Sequence, residues 1–203
     1  MTDTPETMPF AFDDASEVLI PAIIAKYPEG RQASAVMPLL DLAQRQMART
    51  TGHAVLPRHA MDLVADRLGM PRIRVYEVAT FYTMFHTTPA GRFHLQVCTT
   101  TPCWLRGSDA VMAACRYAAE ADSETFSIEE VECVGACVNA PVLQVNDDLY
   151  EDLDSVRTEA LLDALRRGEA PKPGSTIGRQ NSAPEGGPTT LFAVSTETGS
   201  GVA

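Results

Sequence analysis

Four of the chain's five cysteines stand in two short pairs, and these side chains are the ones best suited to chemistry. Cys98 and Cys103 have four residues between them, whereas Cys133 and Cys137 have three. Thiolates are soft, anionic ligands, and four that converge suit either zinc or iron bridged by sulfide. The spacing therefore predicts a metal centre held by Cys98, Cys103, Cys133 and Cys137.

The residues between and beside the paired cysteines favour an iron–sulfur centre. A cluster held by four thiolates is anionic, so a site of low dielectric constant must supply hydrogen-bond donors. Thr99, Thr100 and Thr101 offer hydroxyl and backbone N–H groups, and Arg106 offers a positive charge nearby. Gly135 is expected to let the backbone approach sulfur where a Cβ atom would collide. These groups are expected to tune the reduction potential.

Three other uses of the paired cysteines compete with the cluster. Structural zinc accounts for four thiolates, and unligated core or redox thiols are a second alternative. Disulfides are the third, but the odd number of cysteines and the absence of an apolar signal segment argue against them. The fifth residue, Cys115, follows an apolar stretch in a predicted helix, and we interpret it as a core residue and not as a ligand.

Composition and charge exclude several classes of function. The chain has 203 residues, of which 45% are hydrophobic, and a formal net charge of −11. An acidic chain is poorly suited to bind the phosphates of nucleic acid. No apolar run reaches about eighteen residues, so no membrane-spanning helix is predicted. The acidic N-terminus lacks the features of a secretory or organellar leader, which predicts a reducing cytosolic compartment.

Motifs for substrate chemistry are absent from the sequence. There is no G-x-G-x-x-G and no P-loop, so the chain is not expected to bind a dinucleotide by itself. His53, His59, His86 and His94 show no spacing with an acid or a nucleophile that indicates hydrolysis. We therefore predict no catalytic residue.

Helical periodicity dominates the first part of the chain. Residues 1–12 are predicted to be a flexible N-terminus, and residues 13–88 a helical bundle. The first helix is expected to begin at an Asp14 N-cap, to carry Val18 on its apolar face and to kink at Pro21. The four predicted helices begin near Asp14, Ser34, Pro57 and Arg72, and the last one runs to Phe85.

Aromatic side chains are concentrated in the fourth predicted helix. They are Tyr76, Phe81, Tyr82 and Phe85. Such groups usually belong to a core, but aromatic residues are also enriched at the centres of interfaces. Both interpretations stay open.

From residue 91 the apolar pattern changes from helical to alternating. The predicted order is β-α-β-β-α, in which each cysteine pair follows a strand. The pattern predicts an α/β domain over residues 89–168, with a small sheet covered by helices. The predicted strands are 92–97, 125–132 and 142–145, and the predicted helices are 107–119 and 155–167.

The last part of the chain, residues 169–203, is rich in Pro, Gly, Ser and Thr. Such a composition buries little apolar area to offset ordering entropy, so we predict a tail that is disordered in isolation. The tail is either the remnant of a linker or an arm that orders on a partner, and an apolar patch at 191–194 favours the arm.

Several motifs in order resemble one family. The runs VCTTTPC at 97–103 and VECVGACVNAP at 131–141 closely resemble the [2Fe-2S] subunit of NADH:quinone oxidoreductase, respiratory complex I, which is called the E subunit in bacteria. The runs YPEGRQASA at 27–35 and EVATFYTMF at 77–85 are similar to the same family's helical portion. The resemblance covers about residues 12–168.

This resemblance implies a fold, a cofactor and partners. The fold is an N-terminal helical bundle followed by a thioredoxin-like domain, and the four ligands of one [2Fe-2S] cluster correspond to Cys98, Cys103, Cys133 and Cys137. The chain would be an electron carrier without a substrate site of its own. FMN and NADH are expected in a larger flavin-bearing partner that oxidises NADH, beside a further iron–sulfur subunit. The implied place is the cytoplasmic side of the inner membrane, as a peripheral subunit.

Two alternatives to this function stay open. Similar subunits serve NAD-reducing hydrogenases and NAD-dependent formate dehydrogenases, and the cysteine motif does not separate them from complex I. A zinc-stabilised interaction module without a redox role also accounts for four thiolates and an aromatic helix.

Overall fold

The computed structural model describes residue 5 and residues 7–187. The chain forms two compact units, the first from residues 7–94 and 118–127 and the second from residues 95–117 and 128–187. The first unit thus extends past residue 88, where the sequence predicted a boundary, and includes a second, later segment. None of the described helices is both long enough and apolar enough to cross a membrane.

Helices whose ends are marked by the sequence build most of the first unit. The N-cap Asp13 accepts a hydrogen bond from the Ser16 N–H at 2.7 Å. Gly52 and Gly69 end the second and third helices in the left-handed conformation, which glycine adopts without a steric penalty. The helices are α1 (Asp14–Ile24), α2 (Val36–Thr51), α3 (Arg58–Leu68) and α4 (Arg72–Phe81), with a 3₁₀ turn at Gln32–Ala35 before α2.

Two expectations for α1 were wrong. The N-cap is Asp13 and not Asp14, because the extended backbone at Asp13 places its carboxylate on the Ser16 N–H. Val18 is exposed, whereas Ser16 and Ile20 are buried. Residues four apart share one helix face, so burial of Ser16 and Ile20 turns Val18 towards solvent. The helix continues through Pro21.

The fourth helix is shorter than predicted, and the aromatic residues of the predicted segment differ in burial. α4 ends at Phe81 because Tyr82 has an extended backbone, with φ −91° and ψ 119°. Phe85 is buried in the core of the first unit, whereas Phe81 and Tyr82 are exposed. The core interpretation therefore holds for Phe85 and not for Phe81. The largest fully buried side chains of this unit include Leu39, Leu40, Leu56, Val64 and Val75.

A five-stranded sheet confirms the predicted α/β class, and it contains two short strands, β4 and β5, beyond those predicted. The sheet order is β2-β1-β3-β4-β5. β1 and β3 are antiparallel, with Leu95 opposite Val145, and β4 and β5 are parallel, with Tyr150 opposite Gly174. The elements are β1 (Phe93–Cys98), α5 (Thr101–Leu105), α6 (Ser108–Ala121), β2 (Phe126–Val131), β3 (Leu143–Val145), β4 (Asp148–Glu151), α7 (Ser155–Arg166) and β5 (Gly174–Ser175), with a 3₁₀ turn at Cys137–Asn139.

The prediction that the chain is disordered after residue 168 is wrong for the part that the structure describes. We call residues 169–187 the C-terminal arm. Its Gly174 and Ser175 form β5 beside β4, and the Tyr150 hydroxyl donates to the Pro171 carbonyl at 3.1 Å. The arm is held by backbone and polar side-chain hydrogen bonds, which a prediction based on apolar content does not take into account. The patch at 191–194 lies outside the described residues.

Candidate metal centre

The first cysteine pair lies at the end of the strand β1 and in the short helix that follows. Cys98 is the last residue of β1, and Cys103 lies inside α5. Each is 1% exposed. The sequence predicted no helix between the strand at 92–97 and residue 107, but the chain begins α5 at Thr101, with Pro102 at a position where its missing N–H costs no helical hydrogen bond. The pair is thus held by regular elements and shielded from water.

The second pair follows β2 and is more open to solvent. Cys133 is exposed, and Cys137, at the start of the 3₁₀ turn, is of intermediate exposure. The two sulfur atoms lie 3.2 Å apart. None of the five cysteines, all of which lie in the described part of the chain, is in a disulfide.

Each cysteine loop supplies hydrogen-bond donors to the other loop's sulfur atoms. The backbone N–H of Val134, in the second loop, donates to Cys98 in the first. The Thr100 hydroxyl, in the first loop, lies 3.3 Å from Cys98 and also bonds Cys133 in the second. The structure therefore brings the two predicted pairs together at one site. Apolar side chains pack against Cys98 and Cys103, namely Val134, Ala136, Ala140, Val142 and Leu149.

Burial and hydrogen bonding act in opposite directions on the first pair. Burial opposes ionisation of Cys98, but donors from Thr100 and the Val134 N–H outweigh it, so the pKa of Cys98 is lowered. At Cys103, burial dominates and the neighbouring Cys98 adds to it, which raises the pKa of Cys103 to about 12 even though the Val142 N–H donates to its sulfur. Hydrogen bonding therefore favours ionisation of Cys98, whereas burial opposes ionisation of Cys103.

In the second pair, too, the pKa of one cysteine is lowered and that of the other is raised. Hydrogen bonds from the Cys137 side chain and the Gly135 N–H lower the pKa of Cys133. The hydrogen bond with Cys133, followed by burial, raises the pKa of Cys137. A site that gathers four sulfur atoms but stabilises charge on two of them needs a cationic group to ionise the rest.

The side chains predicted to donate hydrogen bonds or charge to the cluster do not all face the sulfur atoms. Thr100 bonds sulfur, as expected, but the Thr99 hydroxyl donates to Glu130 at 2.9 Å, and Thr101 is an exposed residue at the start of α5. Arg106 is turned to other partners, with Nε 3.5 Å from the Ala140 carbonyl oxygen and Nη2 3.6 Å from Glu185 Oε2. Only one of the three threonines therefore has the role expected of all three.

Gly135 matters for a different reason from the one predicted. Its φ is +88°, and apart from its chain neighbours no described protein atom lies within 4 Å of the place that a Cβ would occupy. The residue is therefore required for a left-handed turn between Cys133 and Cys137, and not to avoid a collision within the protein.

The sulfur atoms are arranged as two pairs and not as four ligands around one point. Cys98 and Cys103 are within hydrogen-bond distance of each other, as are Cys133 and Cys137. Within the described residues, no three His, Cys, Asp or Glu side chains are placed to share one metal ion. A [2Fe-2S] cluster has two irons and four cysteine ligands. Two pairs fit such a group better than they fit a single tetrahedral zinc ion.

Two of the hydrogen-bond donors at the sulfur atoms are backbone N–H groups, which the sequence did not predict. The N–H groups of Val134 and Val142 reach the sulfurs of Cys98 and Cys103. Any residue except proline carries such a donor, so residue type contains no signal for it. Only the path of the two loops reveals it.

The remaining candidate residues have surroundings of their own. Cys115 is fully buried in α6, and burial raises its pKa to about 12, which confirms it as a core residue. All four histidines belong to the first unit, whereas the paired cysteines belong to the second. His53 Nδ1 lies 2.9 Å from the Ala90 carbonyl oxygen, and the rings of His86 and His94 pack edge to face at 4.5 Å.

Comparison with known proteins points to one family. The sequence profile of the thioredoxin-like [2Fe-2S] ferredoxin family matches residues 20–166. The E subunit of the NADH-quinone oxidoreductase of Rickettsia bellii (strain RML369-C) is 52% identical over 163 residues, which span 77% of this chain and 95% of that protein. An E subunit of the NADH-quinone oxidoreductase of Rhizobium meliloti (strain 1021) is 47% identical over 200 residues, which span 94% of this chain and 70% of that protein.

A solved structure shares the fold. It is an NAD+-reducing [NiFe]-hydrogenase in the air-oxidized state, which superposes with a TM-score of 0.52 at 18% sequence identity. The match covers 66% of this chain and 23% of that chain, so this chain corresponds to less than a quarter of the hydrogenase chain.

Proposed function

The chain belongs to the thioredoxin-like [2Fe-2S] ferredoxin family, and from this premise we propose that it is the electron-transfer subunit of an NADH-quinone oxidoreductase. It holds one [2Fe-2S] cluster through Cys98, Cys103, Cys133 and Cys137. The observation that carries this proposal is the meeting of two cysteine pairs whose loops donate hydrogen bonds to each other's sulfurs.

The chemistry of the proposed subunit is a transfer of one electron. When bound, a [2Fe-2S] cluster accepts and returns a single electron, which it would exchange with the reduced flavin of an NADH-oxidising partner. The partner's flavin loses that electron and later regains it, while no bond in this chain is made or broken. FMN and NADH therefore bind to the partner and not to this chain.

The residues of the site would shield one end of the cluster from water and leave the other end exposed. Cys98 and Cys103 are buried among apolar side chains, which keeps water away from one end of the site. Cys133 is exposed at the other end. Hydrogen bonds from Thr100 and from the Val134, Gly135 and Val142 N–H groups place positive dipole ends at the sulfurs. Such donors favour the added negative charge of the reduced state.

Apolar side chains beside the cysteines supply a surface for the partner. α5, which carries Cys103, packs against the 3₁₀ turn that carries Cys137. Both elements expose apolar groups, with Trp104 57%, Leu105 71% and Val138 66% exposed. Large exposed apolar residues at a redox site are suited to bury their area against another protein, which also brings the two redox groups close. We propose the flavin-bearing subunit as that partner and the cytoplasmic side of the inner membrane as the place.

The alternatives receive less support. The hydrogenase structure shares only the fold with this chain, whereas relatives that are about half identical are named as NADH-quinone oxidoreductase subunits. Co-purification separates the two: an NADH-oxidising flavoprotein together with quinone reductase subunits supports the proposal, and a [NiFe] subunit contradicts it. The zinc module is disfavoured by the paired arrangement of the sulfurs.

Metal content and spectroscopy of single variants test the cluster assignment. The full chain should carry two irons and two sulfides and, after dithionite, give the electron paramagnetic resonance spectrum of a reduced [2Fe-2S] centre. Replacement of Cys98, Cys103, Cys133 or Cys137 by serine should lower the iron content, whereas the matched control Cys115→Ser should keep it. Tightly bound zinc without iron, or full iron retention in the Cys98→Ser and Cys137→Ser variants, would sink the proposal.

A further inference from the structure

The C-terminal arm is anchored directly behind the second cysteine turn. Asn139 ends the 3₁₀ turn that begins at Cys137, and it is buried. Its side-chain amide donates to the Asn181 carbonyl at 2.8 Å and to Glu151 Oε2 at 2.5 Å. Its own carbonyl accepts a hydrogen bond from the Asp152 N–H at 2.7 Å. The turn that carries Cys137 is thus bonded both to β4 and to the arm.

Asp152 is itself held by the arm. Arg179 donates from Nη2 to Oδ1 at 2.6 Å and from Nε to Oδ2 at 3.1 Å, and the Ser175 hydroxyl donates to Oδ2 at 2.6 Å. The side chains of Arg179 and Asp152 are 8% and 3% exposed. A two-pronged, buried pair of this kind fixes the position of both groups more narrowly than a surface ion pair does.

Asp152 needs such support because of its backbone. Its φ is +56°, a left-handed conformation that is unfavourable for a residue with a Cβ. The same residue directs its N–H at the Asn139 carbonyl. A contact that holds the carboxylate therefore also holds the N–H that reaches the cysteine turn.

We propose that the C-terminal arm positions Cys137 in the second pair of ligands, with Arg179 as a positioning residue that acts on Cys137 through Asp152 and Asn139. The arm follows residue 166, where the match to the family profile ends, so this support is additional to the profiled domain. The alignment with the Rhizobium meliloti relative spans 94% of this chain and hence extends into residues 169–203. The inference rests on the proposed function, because it takes Cys137 to be a cluster ligand.

The test uses the full chain loaded with its cluster and compares three variants. Arg179→Met removes the two-pronged ion pair with Asp152 and leaves the Asp152 carboxylate charged and buried. Asp152→Asn with Arg179→Met removes both charges, so that no uncompensated buried charge remains. Arg167→Met is the matched control, because Arg167 pairs with Glu169 in the same part of the chain but on the surface. The readouts are the rate of iron release to a chelator, the g-values of the reduced centre and the unfolding temperature.

The Arg179→Met variant should release iron about tenfold faster than the parent chain. A tenfold change is at the lower end of the loss in metal affinity that follows when a group supporting a metal ligand is removed. Its g-values should shift, whereas Arg167→Met should match the parent in both readouts. The double variant carries the test even if Arg179→Met does not fold. Its unfolding temperature should recover towards that of the parent while iron release stays fast.

The opposite pattern would overturn the inference. If the double variant regains both the unfolding temperature and the iron-release rate of the parent, the pair is only structural. If Arg179→Met folds and keeps the parent's rate and g-values, the arm does not position the ligands. Both outcomes leave the proposed function intact, since the parent still holds two irons. A parent chain that binds no iron contradicts the proposed function instead.

Discussion

The hydroxyl of Thr100 lies 3.3 Å from the sulfur of Cys98, and the same hydroxyl reaches Cys133 in the other loop. One side chain thus contributes to the electrostatics of both cysteine pairs. Thr99 and Thr101 flank Thr100 in the chain but have other surroundings. They can therefore serve as controls when Thr100 is replaced.

The replacement Thr100→Val tests that contribution with almost no change in shape. Loss of the donor should make the reduced, more negative state less favourable, so the reduction potential should become more negative. The expected shift is tens of millivolts, where about 59 mV corresponds to a tenfold change for a one-electron couple. A redox titration followed by electron paramagnetic resonance measures it.

Thr101→Val is the matched control for this titration, because Thr101 is exposed at the start of α5. It should leave the potential unchanged. Equal shifts in the two variants would show that the potential responds to general disturbance of the loop and not to the hydrogen bond of Thr100.

The fifth cysteine should be inert to alkylation in the native protein. The thiolate is the reactive form, and burial raises the pKa of Cys115 to about 12, so almost none of it is ionised at a pH of about 8. Iodoacetamide should leave Cys115 unlabelled in the cluster-loaded chain and label it after unfolding, as followed by mass spectrometry. Labelling of the native chain at the rate of a free cysteine would contradict this.

Gly91 should not accept even one additional methyl group. A Cβ there would lie 2.5 Å from the carbonyl carbon of Phe126 and 2.5 Å from the nitrogen of Ser127, which are both backbone atoms that cannot turn aside. Gly91→Ala should therefore lower the free energy of unfolding by about 3 kcal/mol. Urea titration followed by circular dichroism measures the loss.

Gly186→Ala is the control for Gly91→Ala. Apart from its chain neighbours, its added Cβ would meet no atom of the described residues within 4 Å, so it should change the unfolding free energy by less than about 0.5 kcal/mol. A Gly91→Ala variant as stable as Gly186→Ala would mean that the close approach of Gly91 to Phe126 is not present in solution.

The apolar residues beside the cysteines should contribute to partner binding. Replacing Leu105, which is 71% exposed, by serine should weaken the complex with the flavin-bearing subunit by about 2 kcal/mol. Binding is measured by titration of the two purified subunits, with iron content checked in parallel. Val156, equally exposed on α7, is the control, and Val156→Ser should bind normally. Equal binding by both variants would exclude the face around α5 as the docking surface.

Much of the site follows from the sequence because ligand chemistry is carried by residue type. Four thiols in two spaced pairs, each after an alternating apolar run, were enough to predict a metal centre at the ends of two strands, and the motifs around them placed the chain in its family. The α/β class and the order of its main elements follow in the same way from apolar periodicity. Cys115 was also assigned correctly, since apolar neighbours in a helix indicate burial.

Other features were decided only by the tertiary structure. Whether Thr99, Thr100 or Thr101 faces sulfur depends on how the loop turns, and three identical residues give no sign of it. The donors at Val134 and Val142 belong to the backbone, which every residue shares. The ordering of the C-terminal arm depends on a buried pair between Arg179 and Asp152, which are far apart in the chain. Residue types determine which metal ligands and which apolar periodicities are available. Hydrogen-bond direction and long-range charge pairing exist only once distant segments have been brought together.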